Sequence, residues 1–112
     1  MDKIPFTVTD WSTVNATQHA GETGIALWQT LQFSSLRVRI VEYSSGYTAD
    51  HWCEKGHIVF CLEGTFVTEL KTGEAITLTK GMSYIVSDEM SAHRSTSENG
   101  VKLLIVDGGF LQ

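Results

Sequence analysis

At 112 residues the chain is long enough for one packed core and short for two, and 42% hydrophobic with 19% charged residues is the balance of an ordinary globule. A net charge of -5 with scattered Lys and Arg leaves no basic patch for a phosphate backbone, which argues against nucleic acid as a partner. No apolar run approaches the roughly 18 residues of a membrane helix, and Met1-Asp2-Lys3-Ile4-Pro5-Phe6 lacks the regions of a secretory signal, so a cytoplasmic protein with reduced thiols and no membrane partner is expected.

Residues 1–24 read as an N-terminal arm, because Thr7 to Gly24 show no clear alternation and hold at most one strand. From residue 25 onward, short β-branched or aromatic runs alternate with Gly, Ser, Asp and Asn, predicting strands over 25–31, 36–43, 47–53, 57–62, 65–70, 74–78, 83–86, 93–95 and 101–106. Turns are expected at Ser44-Ser45-Gly46, Glu54-Lys55-Gly56, Glu63-Gly64, Lys71-Thr72-Gly73, Lys80-Gly81, Asp88-Glu89 and Glu98-Asn99-Gly100, where Gly accepts positive φ and Asp or Asn bonds its own backbone. So many short antiparallel strands must close on themselves or pack as two sheets to limit exposed edges. The expected class is therefore all-β, a small barrel or jelly roll in a single domain over 1–112.

The chemistry-bearing residues cluster. His51, Cys53 and His57 lie two and four positions apart, with His93 downstream, and imidazole and thiolate are the ligands that borderline-soft metals prefer. If Glu54-Lys55-Gly56 is a three-residue hairpin loop, Cys53 lies opposite His57 and His51 opposite Val59, so all three share one face of the hairpin. Parity then turns Asp50 and Trp52 to the other face. It also sets Cys61 opposite residue 49, about 13 Å along the strand from Cys53, beyond the roughly 7 Å Cα separation a disulfide spans. Cys61 reads as a buried small hydrophobe instead. Burying three imidazoles and a thiol without metal would cost about 1–3 kcal/mol for each polar atom left unpaired, which favours a metal site of His51, Cys53, His57 and His93.

These residues resemble the cupins over roughly residues 36–107. Gly46 leads the first motif, His51 matches its first His, Cys53 falls on the second His, His57 on the Glu, and Gly64 closes it. Gly81 opens the second motif and His93 is its histidine. More narrowly, Asp50-His51-Trp52-Cys53 with Lys55-Gly56-His57 is similar to the small single-domain DHCW-motif cupins. The resemblance implies a cupin-type jelly-roll β-barrel with one divalent metal inside, usually iron, zinc, manganese or nickel, and a homodimer. The departures matter: His57 replaces the acidic ligand, Cys53 the middle His, and Ser87 stands where a proline is common. The family's three-His, one-Glu chemistry therefore does not transfer.

Three neutral histidines leave a divalent ion with its full charge and open positions, suited to polarising an anion or activating water or dioxygen; adding a Cys53 thiolate suits a nearly closed zinc site. Zinc or iron is expected, with nickel or manganese as alternatives. The residues leave three functions open: a metal-dependent oxygenase or isomerase acting on a small polar or anionic molecule, a non-catalytic binding or sensing module, and a structural zinc protein. Tyr43, Tyr84, Arg37, Arg39, Asp88 and Glu89 are further pocket candidates, each with a structural alternative, and an inward Arg would imply an anionic ligand. His19 reads as a surface residue of the arm. Ile58, Phe60 and Leu62 form an apolar stripe facing away from the metal, either a subunit interface or a seat for the arm.

Overall fold

The computed structural model describes residues 3–111; the first two residues of the arm and Gln112 lie outside the described residues. Nine strands follow in order: β1 (Ala16–Ala20), β2 (Ile25–Phe33), β3 (Leu36–Tyr43), β4 (Tyr47–Thr48), β5 (His57–Leu70), β6 (Ala75–Thr79), β7 (Ser83–Val86), β8 (His93–Ser97) and β9 (Val101–Asp107), with 3-10 turns at Trp11–Thr13 and Gly109–Leu111. All pair antiparallel. One sheet runs β1-β2-β3-β9-β5-β7 and the other β6-β5-β8-β4, so the long β5 belongs to both and the whole curls into one nine-stranded system. The expected jelly-roll class is what forms. No helix among the described residues is long and apolar enough to cross a membrane.

Alternation sets the interior. Along β9, Val101, Leu103, Ile105 and Asp107 are buried while the residues between them are partly exposed, the two-residue period of a strand with one face on the core. In β5 the buried set is His57, Val59 and Cys61, then Phe66 and Thr68, so the inward parity switches from odd to even along one strand. A register shift against β9 between Cys61 and Glu63 inserts the extra residue that flips the faces. Gly64, at φ 85°, completes the bend, and a Cβ there would stand 2.5 Å from the Gly100 carbonyl oxygen. The turn expected at Glu63-Gly64 is therefore a bend within a continuous strand, and the two strands expected on either side of it are one.

A second expectation also changes. Residues 47–53 and 57–62 do not form a hairpin: β4 is confined to Tyr47–Thr48 and pairs with β8, while His57 pairs with Val86 of β7. The cause lies at Gly56. A Cβ there would fall 2.6 Å from the backbone of Val86, Ser87 and Asp88, so glycine lets residues 54–56 dock against the turn after β7. Asp88 Oδ1 accepts the Gly56 N–H at 2.6 Å, and the Glu89 N–H reaches the Glu54 carbonyl at 2.8 Å.

The arm adds β1 as an edge strand on β2, and the Gln29 amide holds its turn by donating to the Trp11 and Val14 carbonyls at 2.8 and 2.9 Å. Further out, Phe6 and Val8 are almost bare. On the outer face of the first sheet, Ile58 and Leu62 are half-buried, Phe60 is 38% exposed, and Ile85, opposite Ile58, is 67% exposed.

Candidate metal centre

His57 opens β5 and His93 opens β8, and both imidazoles are buried. Cys53 lies on the irregular segment between β4 and β5 and is half-buried. Reciprocal main-chain bonds tie it to His93: Cys53 N–H to the His93 carbonyl at 2.7 Å and His93 N–H to the Cys53 carbonyl at 3.0 Å. The ligand atoms of Cys53, His57 and His93 all lie within 4.8 Å of one another. Of the three residues that hairpin parity was expected to join, Cys53 and His57 meet by another route, with His93 from the second sheet, and His51 does not join them.

The hydrogen bonds fix the rings. His93 Nδ1 stands 2.9 Å from the Ser91 carbonyl, which only accepts, so Nδ1 carries the proton and Nε2 keeps its lone pair. That lone pair points at His57 Nε2, 2.8 Å away, and the Tyr84 hydroxyl lies 3.3 Å from the same His57 nitrogen. His57 Nδ1 is buried without a partner among the described residues. One proton shared between two converging nitrogens, with a thiol beside them, is a set that a divalent ion would replace by bonding both lone pairs and the thiolate. The residues present fit such an ion.

The electrostatics draw a proton towards His93 and away from Cys53 and His57. Burial, then the positive charges of His93 and Arg39, push His57 down to about 4, so it is neutral near pH 7. Burial opposes ionisation of Cys53, but the His93 ring and the Lys55 backbone overcome it and lower its pKa; burial likewise opposes charge on His93, and the Cys53 thiol and the Ser91 carbonyl overcome that. The thiol next to His93 is accordingly biased towards thiolate, the form a metal takes.

His51 stands outside the group. It lines the same pocket, but its side chain is 74% exposed and its Nδ1 lies 2.7 Å from Asp50 Oδ1. Cys61 is fully buried and both cysteines are free, as expected from the strand spacing. Trp52 packs instead beneath the cations of Lys71 and Arg94, at 4.9 and 4.8 Å from its ring centre.

Cys53, His57 and His93 line a cavity of about 440 Å³. Its other wall comes from β2, β3 and β9. Register sets Arg37 directly opposite Asp107, and the Arg37 fork donates to both carboxylate oxygens, Nε to Oδ1 at 3.0 Å and Nη2 to Oδ2 at 2.9 Å. Arg39 adds a third bond, Nη2 to Oδ2 at 3.0 Å, and lies over Trp28 at 4.5 Å from the ring centre. Burial opposes ionisation of Asp107, but Arg37 and Arg39 hold its carboxyl below the ordinary range. Tyr43 and Tyr84 also line the cavity, and burial raises both hydroxyls, so they stay protonated. Asp88 and Glu89 serve the turn beside Gly56.

His19 is a correction: it is no bystander on the arm but stacks on Trp28 at 3.7 Å and lines the cavity. The register Thr17↔Trp28 and His19↔Ala26 turns these alternate residues to the pocket side of β1 and β2, and no motif in the sequence announces that pairing.

No family model matches the sequence, and no curated protein matches it. Solved structures do match. An RmlC-like cupin from Shewanella frigidimarina NCIMB 400 is 18% identical, covering 91% of this chain and 89% of that one at a TM-score of 0.75. Ectoine synthase from P. lautus is 16% identical over 92% of this chain and 78% of its own, at 0.74. A predicted oxalate decarboxylase from Thermotoga maritima is 13% identical over 89% and 96%, at 0.77. At such identities the likeness speaks for architecture alone, and with the strand order above it identifies the fold as the jelly-roll β-barrel of the cupins.

Proposed function

We propose that the chain is a metal-binding cupin of the DHCW-motif kind and a metal-dependent enzyme, of oxygenase or isomerase type, acting on a small polar or anionic molecule. The observation that carries this reading is the convergence of Cys53, His57 and His93 ligand atoms within 4.8 Å at the wall of a cavity large enough for a small molecule. Imidazole with thiolate suits zinc or iron, with nickel or manganese behind them. Bound there, one divalent ion per chain would supply Lewis-acid polarisation of a substrate oxygen.

The chain's own groups have defined tasks in this reading. The Ser91 carbonyl orients His93, the Tyr84 hydroxyl holds a proton beside His57, and the apolar floor of Val59, Leu103 and Ile105 excludes water. His51 is the fourth ligand of the expected set and would join by turning its ring from Asp50 into the pocket it already lines. A cytoplasmic setting and a homodimer formed through the apolar face around Phe60 and Ile85 belong to the same proposal.

The test is the metal content and absorption spectrum of protein purified under native metal supply, compared with Cys53→Ser and His93→Ala. About one ion per chain, lost in His93→Ala, together with oxygen uptake or turnover that disappears in the same variant, is the expected result. Protein that holds no ion overturns the reading. A non-catalytic role, as a structural zinc protein or a ligand-holding sensor, has one observation in its favour: the irregular segment carrying Cys53 is tied to β8 by the two-residue Cys53–His93 bridge and one Ala49 N–H bond to the Ser95 carbonyl, so a metal there would also brace it. Chelation that unfolds the chain would select the structural zinc role, and ligand binding without turnover the sensor.

A further inference from the structure

Resting on the reading of the cavity as a substrate pocket, we infer that Arg39 is its anion-binding residue and that the ligand is a small organic monocarboxylate whose apolar body lies over Val59, Leu103 and Ile105. The argument begins with a charge imbalance. Arg37, Arg39 and Asp107 form one cluster of two cations and one anion. Arg37 takes both oxygens of Asp107 through its fork, and its side chain is 35% exposed, so its charge is open to solvent. Arg39 shares one of those oxygens, and its side chain is only 7% exposed. The uncompensated positive charge therefore falls on the drier guanidinium.

A guanidinium carries five N–H donors. The hydrogen bond Arg39 makes among the described residues is Nη2 to Asp107, and its Nε is buried with no partner. A buried charged donor left without a partner is costly, and a carboxylate is the group whose two oxygens match a guanidinium edge. Trp28 fixes the guanidinium plane from below, so Arg39 has little freedom to leave for solvent. The rest of the floor is apolar: Val59 and Leu103 are buried core residues that also line the cavity, and Ile105, directly opposite Arg39 across the β3 and β9 pair, continues it. One dry cation beside an apolar floor selects a singly charged acid over a neutral polar molecule or a polyanion.

The experiment uses benzoate and its neutral isostere benzamide as probes, titrated calorimetrically into the metal-free protein, with tryptophan fluorescence in a Trp11→Phe, Trp52→Phe background, where Trp28 is the sole emitter, as a second readout. Metal-free protein is used so that loss of the metal centre and loss of the anion site are told apart. Benzoate should bind with about tenfold or greater preference over benzamide, and Arg39→Gln should abolish that preference. Equal binding of the two probes by the wild type overturns the inference, as does benzoate bound by Arg39→Gln as tightly as by wild type. Should Arg39→Gln not fold, the wild-type preference and the effect of benzoate on Trp28 emission still decide: no preference, or a preference with unchanged emission, counts against Arg39.

Discussion

The two walls of the pocket are built on different principles. The wall of β2, β3 and β9 carries Arg37, Arg39 and Asp107 on strands in continuous register, where pairing places Arg37 opposite Asp107 before any side chain is considered. The wall of Cys53, His57 and His93 collects its groups from a loop and from the first residues of two strands in different sheets, held by one bridge and by contacts at Gly56. The first wall is held by ion pairs of its own, with one positive charge and Arg39 Nε left over, whereas the second contains a buried ring nitrogen without a partner among the described residues and two nitrogens pointing at each other. A preformed ionic wall facing an incompletely satisfied one is what a site needs if the fold supplies the anchor and a bound ion completes the rest.

Four measurements bear on that contrast. Asp107→Asn should have the largest effect, about 2–4 kcal/mol in urea unfolding, because it leaves two guanidinium groups without their shared anion; the loss should be the same with and without metal. A loss below about 0.5 kcal/mol would show that the ionic wall is not structural. His93→Ala should weaken metal binding about 100-fold, read by competition with a chelator, with a smaller change in metal-free stability. If instead it unfolds the metal-free chain, the two walls are not separable.

Between pH 6.5 and 4 acid should act chiefly on the metal wall, since Asp107 is held ionised below the ordinary carboxyl range. Folded His57 resists protonation down to about 4, while in the unfolded chain it takes up a proton near 6.5, so protons favour the unfolded chain. Its contribution is complete above pH 6.5 and is lost as pH falls towards 4, which should appear as a falling melting temperature of the metal-free protein over that window, diminished in His57→Gln. The smallest effect is expected from His51→Ala, about tenfold in metal affinity, because recruiting an exposed ring forfeits its Asp50 contact and orders a loop. A loss as large as that of His93→Ala would make His51 an equal member of the ligand set.

Much of the architecture was legible because it is local. Strands 36–43 and 83–86 were read at their observed bounds, and the inward parity of His57, Val59 and Cys61 follows from alternation. That residues 54–56 do not close a hairpin was not legible, since three residues between two apolar runs satisfy the local rule for a turn equally well. What diverts them is the close approach of Gly56 to residues 86–88, far along the chain. His19 was missed for the same reason: its place in the pocket depends on which strand β1 pairs with and in what register.

The sequence by itself determined the composition of the site, a thiol and imidazoles with a cupin-like spacing, and the all-β class, because residue type and two-residue periodicity are properties of neighbouring positions. Only the tertiary structure decided that Cys53, His57 and His93 converge while His51 faces Asp50, and that Arg39 is left dry in a cluster with one surplus positive charge. Those outcomes depend on the bulge in β5 and the pairing of β3 with β9. Both are contacts between distant segments, whose register is chosen by burial of the whole core rather than by any stretch of chain alone.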